Sequence, residues 1–397
     1  MIGIVGASLA GLTVARTLRS LGVDEPVVFV GAEPWHPYDR PPLSKELLSS
    51  TYEAAPTAPD PGWATLLADG EHDAFDWRLG VSATGLSRTG DDVSIHTDHG
   101  HVPARAVVLT TGARAMRLPG DDLVGVHAVR TIDDARRLAA ELTSAEDVVV
   151  VGAGFIGAEI ASTVTGQGRH VTVVERAPDP GARVLGRRLA SWAVDLQRRA
   201  GVDVRTGTGI AGFESEGGVV RGVRLADGTS LRADVVVVGV GAVPNTSWAA
   251  GSAVAVDDGF LTDQRGATSM PGVWAAGDCA RVVDAASGVS TRHQHWSAAI
   301  ESARTVAHGI AGLAPPSPRA PYVWSEQHGH RVQICGTIPP DAEPTVLEGS
   351  LDDDAFLAVV GDPDAPDAVV GVDSPRSFTR LRKSMDRRMS AVAAVHA

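Results

Sequence analysis

A glycine-rich turn between a short strand and a helix occurs twice in this sequence, and this repeat constrains the fold more than any other feature. In the first copy, residues 1–33, the turn is Gly6–Gly11, with the sequence GASLAG. We expect a short strand before the turn, a helix after it that continues to about Leu21, and a second strand at Pro26–Val30. A strand–helix–strand segment of this length matches a dinucleotide-binding βαβ unit.

The second copy covers residues 147–175 and has the same order of elements. A strand at Asp147–Val151 leads into the turn Gly152–Gly157, with the sequence GAGFIG, and a helix and a strand at Arg169–Val174 follow. Each turn alone could be an ordinary strand–helix junction. Two of them in the same context make that alternative weak, so the chain is predicted to have an α/β fold with two Rossmann-like dinucleotide-binding domains.

The glycines of such a turn have separate tasks. The first permits the sharp bend, the second lets the backbone approach a pyrophosphate, and the third lets the helix pack on the strand. The pyrophosphate then meets the unpaired N–H groups at the start of the helix. The expected contacts of the first turn are Gly6, Ser8, Ala10 and Gly11, and those of the second are Gly152, Gly154, Phe155, Ile156 and Gly157. Ser8 replaces the middle glycine, which is tolerable if its backbone still faces the phosphate.

An acidic residue follows the second strand of each unit. Glu175 lies 23 positions after Gly152, where its carboxylate can accept hydrogen bonds from the adenosine ribose and would repel a 2′-phosphate. This favours NADH over NADPH, although the neighbouring Arg176 weakens the inference. In the first unit Glu33 comes one position late, so its ribose contact is left open.

Two dinucleotide sites on one chain suggest FAD and a pyridine nucleotide, and three later segments agree. A strand at Val107–Leu109 leads into Thr110-Thr111-Gly112-Ala113, and a buried strand at Val235–Gly241 returns the chain. A further strand, Val273–Asp278, ends in Gly-Asp. The Asp278 carboxylate could hydrogen-bond the ribityl chain of a flavin at the sheet edge, or it could simply cap a following helix.

Charge and cysteine content exclude several classes of protein. The net charge is −13, with 35 basic and 48 acidic residues, which argues against a nucleic-acid-binding protein. Cys279 and Cys335 are 56 positions apart, which excludes a disulfide scaffold, a cysteine-bound iron–sulfur cluster and a C-x-x-C pair. The pairs His293/His295 and His328/His330 have no convincing third ligand, so we expect no metal and assign redox chemistry to organic cofactors.

The sequence also gives expectations about location. The strand and turn at Gly3–Gly6 leave no room for a signal peptide before them. The longest apolar run, Val235–Val243, is too short to span a bilayer. We therefore expect a soluble cytoplasmic protein.

A loop between the first unit and the rest of the chain carries a more specific pattern. Residues Tyr38–Lys45, with the sequence YDRPPLSK, resemble the flavin loop of FAD-dependent ferredoxin reductases that serve oxygenase systems. This family includes the reductases of aromatic-ring dioxygenases and of bacterial haem monooxygenases, the putidaredoxin reductase type. The resemblance extends to both glycine turns, to Thr110–Arg114, to Gly277-Asp278 and to Trp324-Ser325-Glu326-Gln327, and so covers nearly the whole chain.

The resemblance implies roles for further residues. Arg40, beside a rigid Pro-Pro, would reach the FAD pyrophosphate, and Lys45 would lie near the flavin and pair with Glu159. The other implied FAD contacts are Glu33, Ala83, Thr111, Gly112, Arg130, Asp278, His295 and Trp296, and the other implied NAD contacts are Glu159, Glu175, Arg183 and Gly241. Lys45, Glu159 and Trp324 are the implied catalytic residues. Without the family context, Lys45 and Glu159 could be solvated helix residues, and Trp296 and Trp324 could be core residues.

The resemblance implies a glutathione-reductase-like architecture. An FAD domain would comprise residues 1–112 and 242–313, an inserted NAD domain 113–241, and a C-terminal α/β domain 314–397 that covers the flavin. The implied activity is transfer of a hydride from NADH to FAD, and then of single electrons to a [2Fe-2S] ferredoxin that feeds an oxygenase. Rubredoxin reduction, NADH oxidase activity and an NADH-sensing interaction protein similar to apoptosis-inducing factor remain alternatives.

The C-terminal third separates its charges along the chain. Residues 341–367 contain nine acidic residues and no lysine or arginine. Six basic residues follow with one acidic residue among them: Arg376, Arg380, Arg382, Lys383, Arg387 and Arg388. Since a chain of net charge −13 would repel an acidic ferredoxin, this patch is a candidate docking site. An ordinary solvated helix surface is the alternative.

Overall fold

The computed structural model describes residues 1–49, 64–285 and 287–396. Their strands, in chain order, are β1 (Ile2–Val5), β2 (Val27–Gly31), β3 (Asp76–Leu79), β4 (Ala83–Thr89), β5 (Asp92–Thr97), β6 (Gly100–Ala104), β7 (Ala106–Leu109), β8 (Ala113–Ala115), β9 (Val126–His127), β10 (Asp147–Val151), β11 (His170–Glu175), β12 (Asp203–Thr206), β13 (Ile210–Glu216), β14 (Val219–Leu225), β15 (Ser230–Arg232), β16 (Val235–Val238), β17 (Ala242–Pro244), β18 (Phe260–Thr262), β19 (Val273–Ala275), β20 (Ala280–Val283), β21 (Ser290–Thr291), β22 (Tyr322–Gln327), β23 (His330–Gly336), β24 (Thr345–Ser350), β25 (Ala355–Asp362) and β26 (Ala365–Val372). The α-helices are α1 (Leu9–Ser20), α2 (Glu71–Ala74), α3 (Ile132–Leu142), α4 (Phe155–Gly166), α5 (Ala182–Arg199), α6 (Trp296–Ile310) and α7 (Pro375–His396).

These residues divide into two units. The first contains the described residues of Met1–Asp39, Ala58–Arg114 and Val243–Ser317, and the second those of Arg40–Thr57, Ala115–Ala242 and Pro318–Ala397. The predicted FAD, NAD and C-terminal domains, with their boundaries, stay a prediction. No helix among the described residues is long and apolar enough to cross a membrane.

The first unit is built on a parallel sheet with the strand order β19-β7-β1-β2-β3. Every residue of β1 and β2 is buried, as expected for parallel strands with both faces covered. The chain leaves β1, passes through α1 and enters β2 on one side, while β7 pairs with the other side of β1. The turn Gly6–Gly11 therefore lies at the point where the strand order reverses, which is where open α/β sheets bind their ligands.

The second unit repeats this arrangement. Its parallel sheet has the order β12-β11-β10-β16-β9, and β10 lies between β11 and β16. The turn Gly152–Gly157 follows β10, so it also lies at a reversal of the strand order. The prediction of two Rossmann-like βαβ units is confirmed.

The C-terminal part of the second unit is an antiparallel sheet with the order β22-β23-β26-β25-β24, joined to the single helix α7. Side chains of α5, among them Leu189 and Trp192, share a buried core with this sheet through Phe356 and Val370. Because α5 also belongs to the Rossmann-like part of this unit, the two sheets of the unit are joined by a common hydrophobic core.

Several predicted element boundaries shift by one residue, and two strands are shorter than expected. The strand predicted at Val273–Asp278 ends at Ala275, and a 3₁₀ turn at Gly277–Cys279 follows it. Helix α1 ends at Ser20, and β11 runs to Glu175. The predicted continuous strand Val235–Gly241 is wrong at its end, since β16 stops at Val238. Gly239 still donates its N–H to the Val151 carbonyl, but Gly241 has a φ of +121°, which a regular strand does not accommodate.

Candidate functional site

The first glycine turn requires glycine at both ends for steric reasons. Gly6 has a φ of +119°, and a Cβ there would lie 2.2 Å from the Thr110 carbonyl oxygen. A Cβ on Gly11 would lie 2.5 Å from the carbonyl oxygen of Gly6. The turn therefore closes tightly against the end of β7, and it delivers the chain into α1 with Ser8 as the N-cap residue.

The second turn has the same construction with one difference. A Cβ on Gly152 would lie 2.4 Å from the Gly239 carbonyl oxygen, and one on Gly157 would lie 2.0 Å from the Gly152 carbonyl oxygen. At Gly154, in contrast, an added Cβ would meet nothing within 4 Å. Phe155 and Ile156 begin α4, and the Ile156 side chain is exposed. The middle glycine thus faces open space, as backbone approach by a pyrophosphate requires.

The starts of α1 and α4 are not capped by the side chains of their own N-cap residues. Neither Ser8 nor Gly154 provides a side-chain cap, and neither helix has an acidic residue in its first turn. In α3 the opposite holds, because Thr131 and Asp134 form a complete capping box. The backbone N–H groups in the first turns of α1 and α4 are thus suited to an external anion, which fits the pyrophosphates of two dinucleotides.

Helix α6 also begins without a side-chain cap, and His295 is its N-cap residue. Burial lowers the pKa of His295, the charge of His293 lowers it further, and Asp278 opposes these effects. Trp296, the first residue of α6, donates its indole N–H to Asp39 Oδ1 at 2.9 Å. The structure therefore places both predicted residues at the start of a helix whose positive end can stabilise negative charge.

The acidic residues at the two strand ends have different partners. Glu175 accepts hydrogen bonds from the backbone N–H groups of Ala153, at 3.0 Å, and Ala177, at 2.7 Å. These bonds hold its carboxylate beside the turn Gly152–Gly157, where the adenosine ribose was predicted. Glu33 instead accepts from the Tyr38 hydroxyl at 2.5 Å, a contact within the first unit that the sequence did not predict.

The remaining predicted FAD contacts of the first unit occupy loops at strand ends. Thr111 donates to the Asn245 carbonyl at 2.7 Å, and Gly112, with a φ of +63°, accepts from the Asn245 N–H at 2.9 Å. Asp278 belongs to a single 3₁₀ turn, and the strand β20 follows it directly. The alternative that Asp278 caps a following α-helix is therefore wrong. Ala83 begins β4.

Arg40 and Arg130, both predicted to contact FAD, are joined in the second unit. Arg40 Nη1 donates to the Arg130 carbonyl at 2.5 Å. The Arg130 N–H in turn donates to Asp134 Oδ2 at 3.1 Å, and the same oxygen accepts from the Thr131 N–H at 2.8 Å. The T-x-x-D pattern at residues 131–134 could have suggested the capping box of α3. In the structure this cap also orients the carbonyl that holds Arg40.

The predicted pair of Lys45 and Glu159 is present. Lys45 Nζ lies 2.7 Å from Glu159 Oε2, and both side chains are largely buried. Ser44 also donates to Glu159 Oε2, at 2.6 Å, and Ser325 of β22 donates to Glu159 Oε1 at 2.7 Å. Both oxygens of the Glu159 carboxylate therefore accept hydrogen bonds, as burial of a charge requires. Ser44 and Ser325 lie in segments that carry the family resemblance, but sequence reasoning assigned no role to either.

Three other predicted residues have simpler surroundings. Trp324 is half-buried on β22 and stacks on Tyr322, with ring centroids 5.7 Å apart. Arg183 is exposed in the first turn of α5. Gly241 accepts from the Met116 N–H at 2.9 Å. The predicted FAD contacts thus come from both units, and their convergence on one flavin stays a prediction.

Both cysteines are buried and free. Burial raises the pKa of the Cys279 thiol to about 11 and that of Cys335 to about 12, so neither is a reactive thiolate near neutral pH. Among the described residues, no group of three or more histidine, cysteine, aspartate or glutamate side chains could hold a metal ion.

Two uncapped glycine turns, each at a strand-order reversal of its own parallel sheet, define the class of proteins that bind two dinucleotides. The chain belongs to the pyridine nucleotide-disulphide oxidoreductase family, whose model matches residues 2–303, and its residues 322–397 match a reductase C-terminal family model. The predicted membership is confirmed.

Named relatives and a solved structure refine this placement. The chain is 36% identical to the ferredoxin reductase component of a chlorobenzene dioxygenase from Cupriavidus sp. (strain PS12), covering 98% of this chain and 92% of the relative. It is 33% identical to the ferredoxin–NAD(+) reductase subunit of a benzene 1,2-dioxygenase system from Pseudomonas putida, covering 98% and 93%. A covalent putidaredoxin reductase–putidaredoxin complex matches with a TM-score of 0.88 and 30% identity, covering 98% of this chain and 93% of that chain.

Proposed function

We propose that this chain is an FAD-dependent NADH:ferredoxin oxidoreductase that supplies electrons to an oxygenase. The observation that carries the proposal is the pair of uncapped glycine turns at α1 and α4, one in each unit. Two such sites on one chain suit a flavin dinucleotide and a pyridine dinucleotide. The relatives named above are ferredoxin reductases of dioxygenase systems, and they match this chain over nearly its full length.

The chain's own residues would bind the two cofactors by similar means. Bound FAD would supply the chemistry, since it can accept a hydride from NADH and release the electrons singly. The start of α1 would hold the FAD pyrophosphate, with the N-terminal end of α6 stabilising negative charge on the flavin. The start of α4 would hold the NADH pyrophosphate. Glu175, fixed by two backbone N–H groups, would accept from the ribose hydroxyls and disfavour a 2′-phosphate.

The stem of Arg176 is consistent with this preference for NADH. Arg176 follows Glu175 and is exposed. A Cβ added at Gly209 would lie 3.7–3.9 Å from its Cβ, Cγ and Cδ, so the stem extends along the Gly209 backbone. The Glu175 carboxylate, in contrast, accepts a hydrogen bond from the Ala153 N–H and so lies at the turn Gly152–Gly157. We therefore propose that Glu175, rather than Arg176, determines the choice of nucleotide.

Lys45, Glu159 and Trp324 are the proposed catalytic residues. The buried carboxylate of Glu159 fixes the Lys45 ammonium, and the stack with Tyr322 restricts the ring of Trp324. A fixed ammonium and a restricted aromatic ring can orient a nicotinamide against a flavin and exclude water from the transfer.

The acceptor of the electrons is proposed to be an external carrier. The sequence has only two cysteines, and each is buried as a free thiol, so the chain has no dithiol of its own beside a flavin. A [2Fe-2S] ferredoxin is the proposed carrier, and an oxygenase is its proposed user. We also propose that the chain works in the cytoplasm, where NADH is available; this location stays a prediction.

Anaerobic reduction followed by titration with carriers tests the function. The purified chain should bind FAD, and NADH should bleach the flavin absorbance within a single turnover. A [2Fe-2S] ferredoxin should then restore the absorbance faster than a rubredoxin or oxygen does. Faster reoxidation by rubredoxin would indicate a rubredoxin reductase, and rapid peroxide formation without a carrier would indicate an oxidase. Slow turnover with every carrier, together with NADH-dependent dimerisation, would indicate a sensing protein.

A further inference from the structure

Lysine is almost absent from this chain. Of the 35 basic residues, only Lys45 and Lys383 are lysines, and the others are arginines. Lys45 Nζ has three oxygen neighbours: Glu159 Oε2 at 2.7 Å, the Pro41 carbonyl at 3.1 Å and Ser44 Oγ at 3.3 Å. This number matches the three N–H donors of an ammonium group, whereas the planar fork of arginine would not fit the same three oxygens. The site therefore requires a compact cation in one position.

The position of that cation depends on the orientation of the Glu159 carboxylate. Lys45 and Ser44 bond only to Oε2, so they do not by themselves fix the rotation of the carboxylate about its terminal bond. Oε1 accepts from Ser325 Oγ at 2.7 Å and from the Glu326 N–H at the longer distance of 3.4 Å. Among the described residues, the short hydrogen bond to Glu159 Oε1 therefore comes from Ser325.

The hydroxyl of Ser325 has its direction set by a neighbour. Gln327 Nε2 donates to Ser325 Oγ at 3.0 Å, so the single hydroxyl proton of Ser325 is directed to Glu159. Ser325 is 1% exposed and Gln327 is 4% exposed, which leaves water little access to replace these bonds. The two residues belong to β22, the strand that also carries Trp324.

We propose that Ser325, directed by Gln327, is a positioning residue that holds the Glu159 carboxylate and through it the Lys45 ammonium. The site of Lys45 is therefore built from three segments: the loop that contains Lys45, helix α4 with Glu159, and strand β22 with Ser325. The consequence for hydride transfer rests on the proposed function, whereas the consequence for the lysine itself does not. The experiment below measures the two separately.

The scarcity of lysine makes the first measurement specific. An amine-acetylating reagent applied to the FAD-loaded full chain would report, by mass spectrometry, on Lys45 and on the exposed Lys383 as an internal reference. Ser325→Ala should raise the ratio of Lys45 to Lys383 acetylation about tenfold, the effect expected for loss of one hydrogen bond to a charged group. Ser325→Thr, which keeps the hydroxyl, should restore the ratio to within about twofold of the wild type.

Ser162→Ala is the matched control. Ser162 Oγ accepts from the His328 N–H at 2.6 Å, so this variant removes a serine hydroxyl from the same contact between α4 and the end of β22 without touching the carboxylate. We expect its acetylation ratio to equal that of the wild type. An unchanged ratio in Ser325→Ala, or an equal rise in Ser162→Ala, would overturn the proposal. If Ser325→Ala does not fold, Gln327→Leu tests the same bond and should raise the ratio several-fold.

The second measurement is flavin reduction by NADH in a stopped-flow instrument. Ser325→Ala should lower the limiting rate about tenfold and leave the half-saturating NADH concentration within about twofold, because positioning affects the transfer and not nucleotide binding. A rise in the half-saturating concentration at an unchanged limiting rate would contradict the positioning role. A wild-type chain that binds no FAD, or is not reduced by NADH, would refute the proposed function, while the acetylation ratios would still decide the role of Ser325.

Discussion

The glycines of the turn Gly152–Gly157 differ in what an added methyl group would meet. A Cβ on Gly157 would lie 2.0 Å from the Gly152 carbonyl oxygen, so we expect Gly157→Ala to destabilise the fold by about 1–3 kcal/mol, the usual cost of overpacking. A Cβ on Gly154 would meet nothing within 4 Å, and its φ of −71° suits alanine. Gly154→Ala should therefore keep the melting temperature but weaken NAD⁺ binding by about tenfold, because the methyl group occupies the approach to the pyrophosphate.

Thermal unfolding and a titration with NAD⁺, carried out on both variants, separate the two effects. Each variant controls for the other, since both add one methyl group to the same turn. A Gly154→Ala protein that binds NAD⁺ as the wild type does would show that this turn does not hold the pyrophosphate. A Gly157→Ala protein of normal stability would mean that the turn can relax away from the Gly152 carbonyl oxygen.

Residues in a fixed local pattern were accessible from the sequence, and residues brought together from distant segments were not. The glycines of both turns follow a spacing that has one physical explanation, and the Lys45–Glu159 pair followed from the family resemblance. Ser325 reaches Glu159 across 166 positions of sequence, and its place in the segment Trp324–Gln327 carries no signal of such a contact. Asp134 is intermediate, because its capping box was readable but its bond to the Arg130 N–H was not.

At the scale of elements, the starts of the helices differ in how they are capped. The N-cap residues of α1, α2, α4, α5 and α6 provide no side-chain cap, whereas α3 has a capping box. The cap of α3 serves a second purpose, since Asp134 also holds the Arg130 backbone whose carbonyl accepts from Arg40. A helix that is capped in this way can hold in place a residue on a neighbouring loop, and here that residue is Arg40, the predicted FAD contact.

Substitution of Asp134 tests this link. Asp134→Ala should cost about 1 kcal/mol in the free energy of unfolding, as for loss of a cap. It should also raise the dissociation constant of FAD about five- to tenfold, because the carbonyl that holds Arg40 is no longer fixed. Asp133→Ala removes the same charge from the same helical turn and should leave FAD binding close to that of the wild type. Equal FAD loss in both variants would attribute the effect to charge at the helix start rather than to Arg40.

The strands of the parallel sheets could be predicted from the sequence. For the C-terminal part, only an α/β domain was predicted, and not its individual strands. Strands such as β10 read as continuous buried valine runs because both faces of a parallel sheet are covered. The antiparallel strand β24 is exposed along nearly its whole length, so it lacks the hydrophobic run or alternation that marks a strand. Its pairing with β25 is set by the chain reversal between them and not by its own composition.

At the scale of the whole molecule, the charge is strongly negative and its main basic segment is short. Three of the six basic residues of α7 contact other parts of the protein. Arg388 donates to the Pro366 carbonyl, Arg382 lies 4.0 Å from the centre of the Tyr322 ring, and Arg380 lies 3.8 Å from Glu348. These three side chains are committed in part to the fold. Arg376, Lys383 and Arg387 are exposed. Three exposed cations on one helix can attract an acidic carrier locally although the net charge of −13 repels it at long range.

Reversal of two of these charges tests the docking hypothesis. The double variant Lys383→Glu, Arg387→Glu should raise the apparent KM for ferredoxin about tenfold at low ionic strength, and the effect should shrink as salt screens the charges. Reduction of ferricyanide, a small acceptor, should stay at the wild-type rate. The pair Arg221→Glu, Arg224→Glu on β14 makes the same change in net charge at two other exposed positions and should affect ferredoxin much less. If both pairs raise the KM equally, net charge governs the encounter; if ferricyanide reduction falls as much as ferredoxin reduction, α7 supports the fold and does not form the docking site.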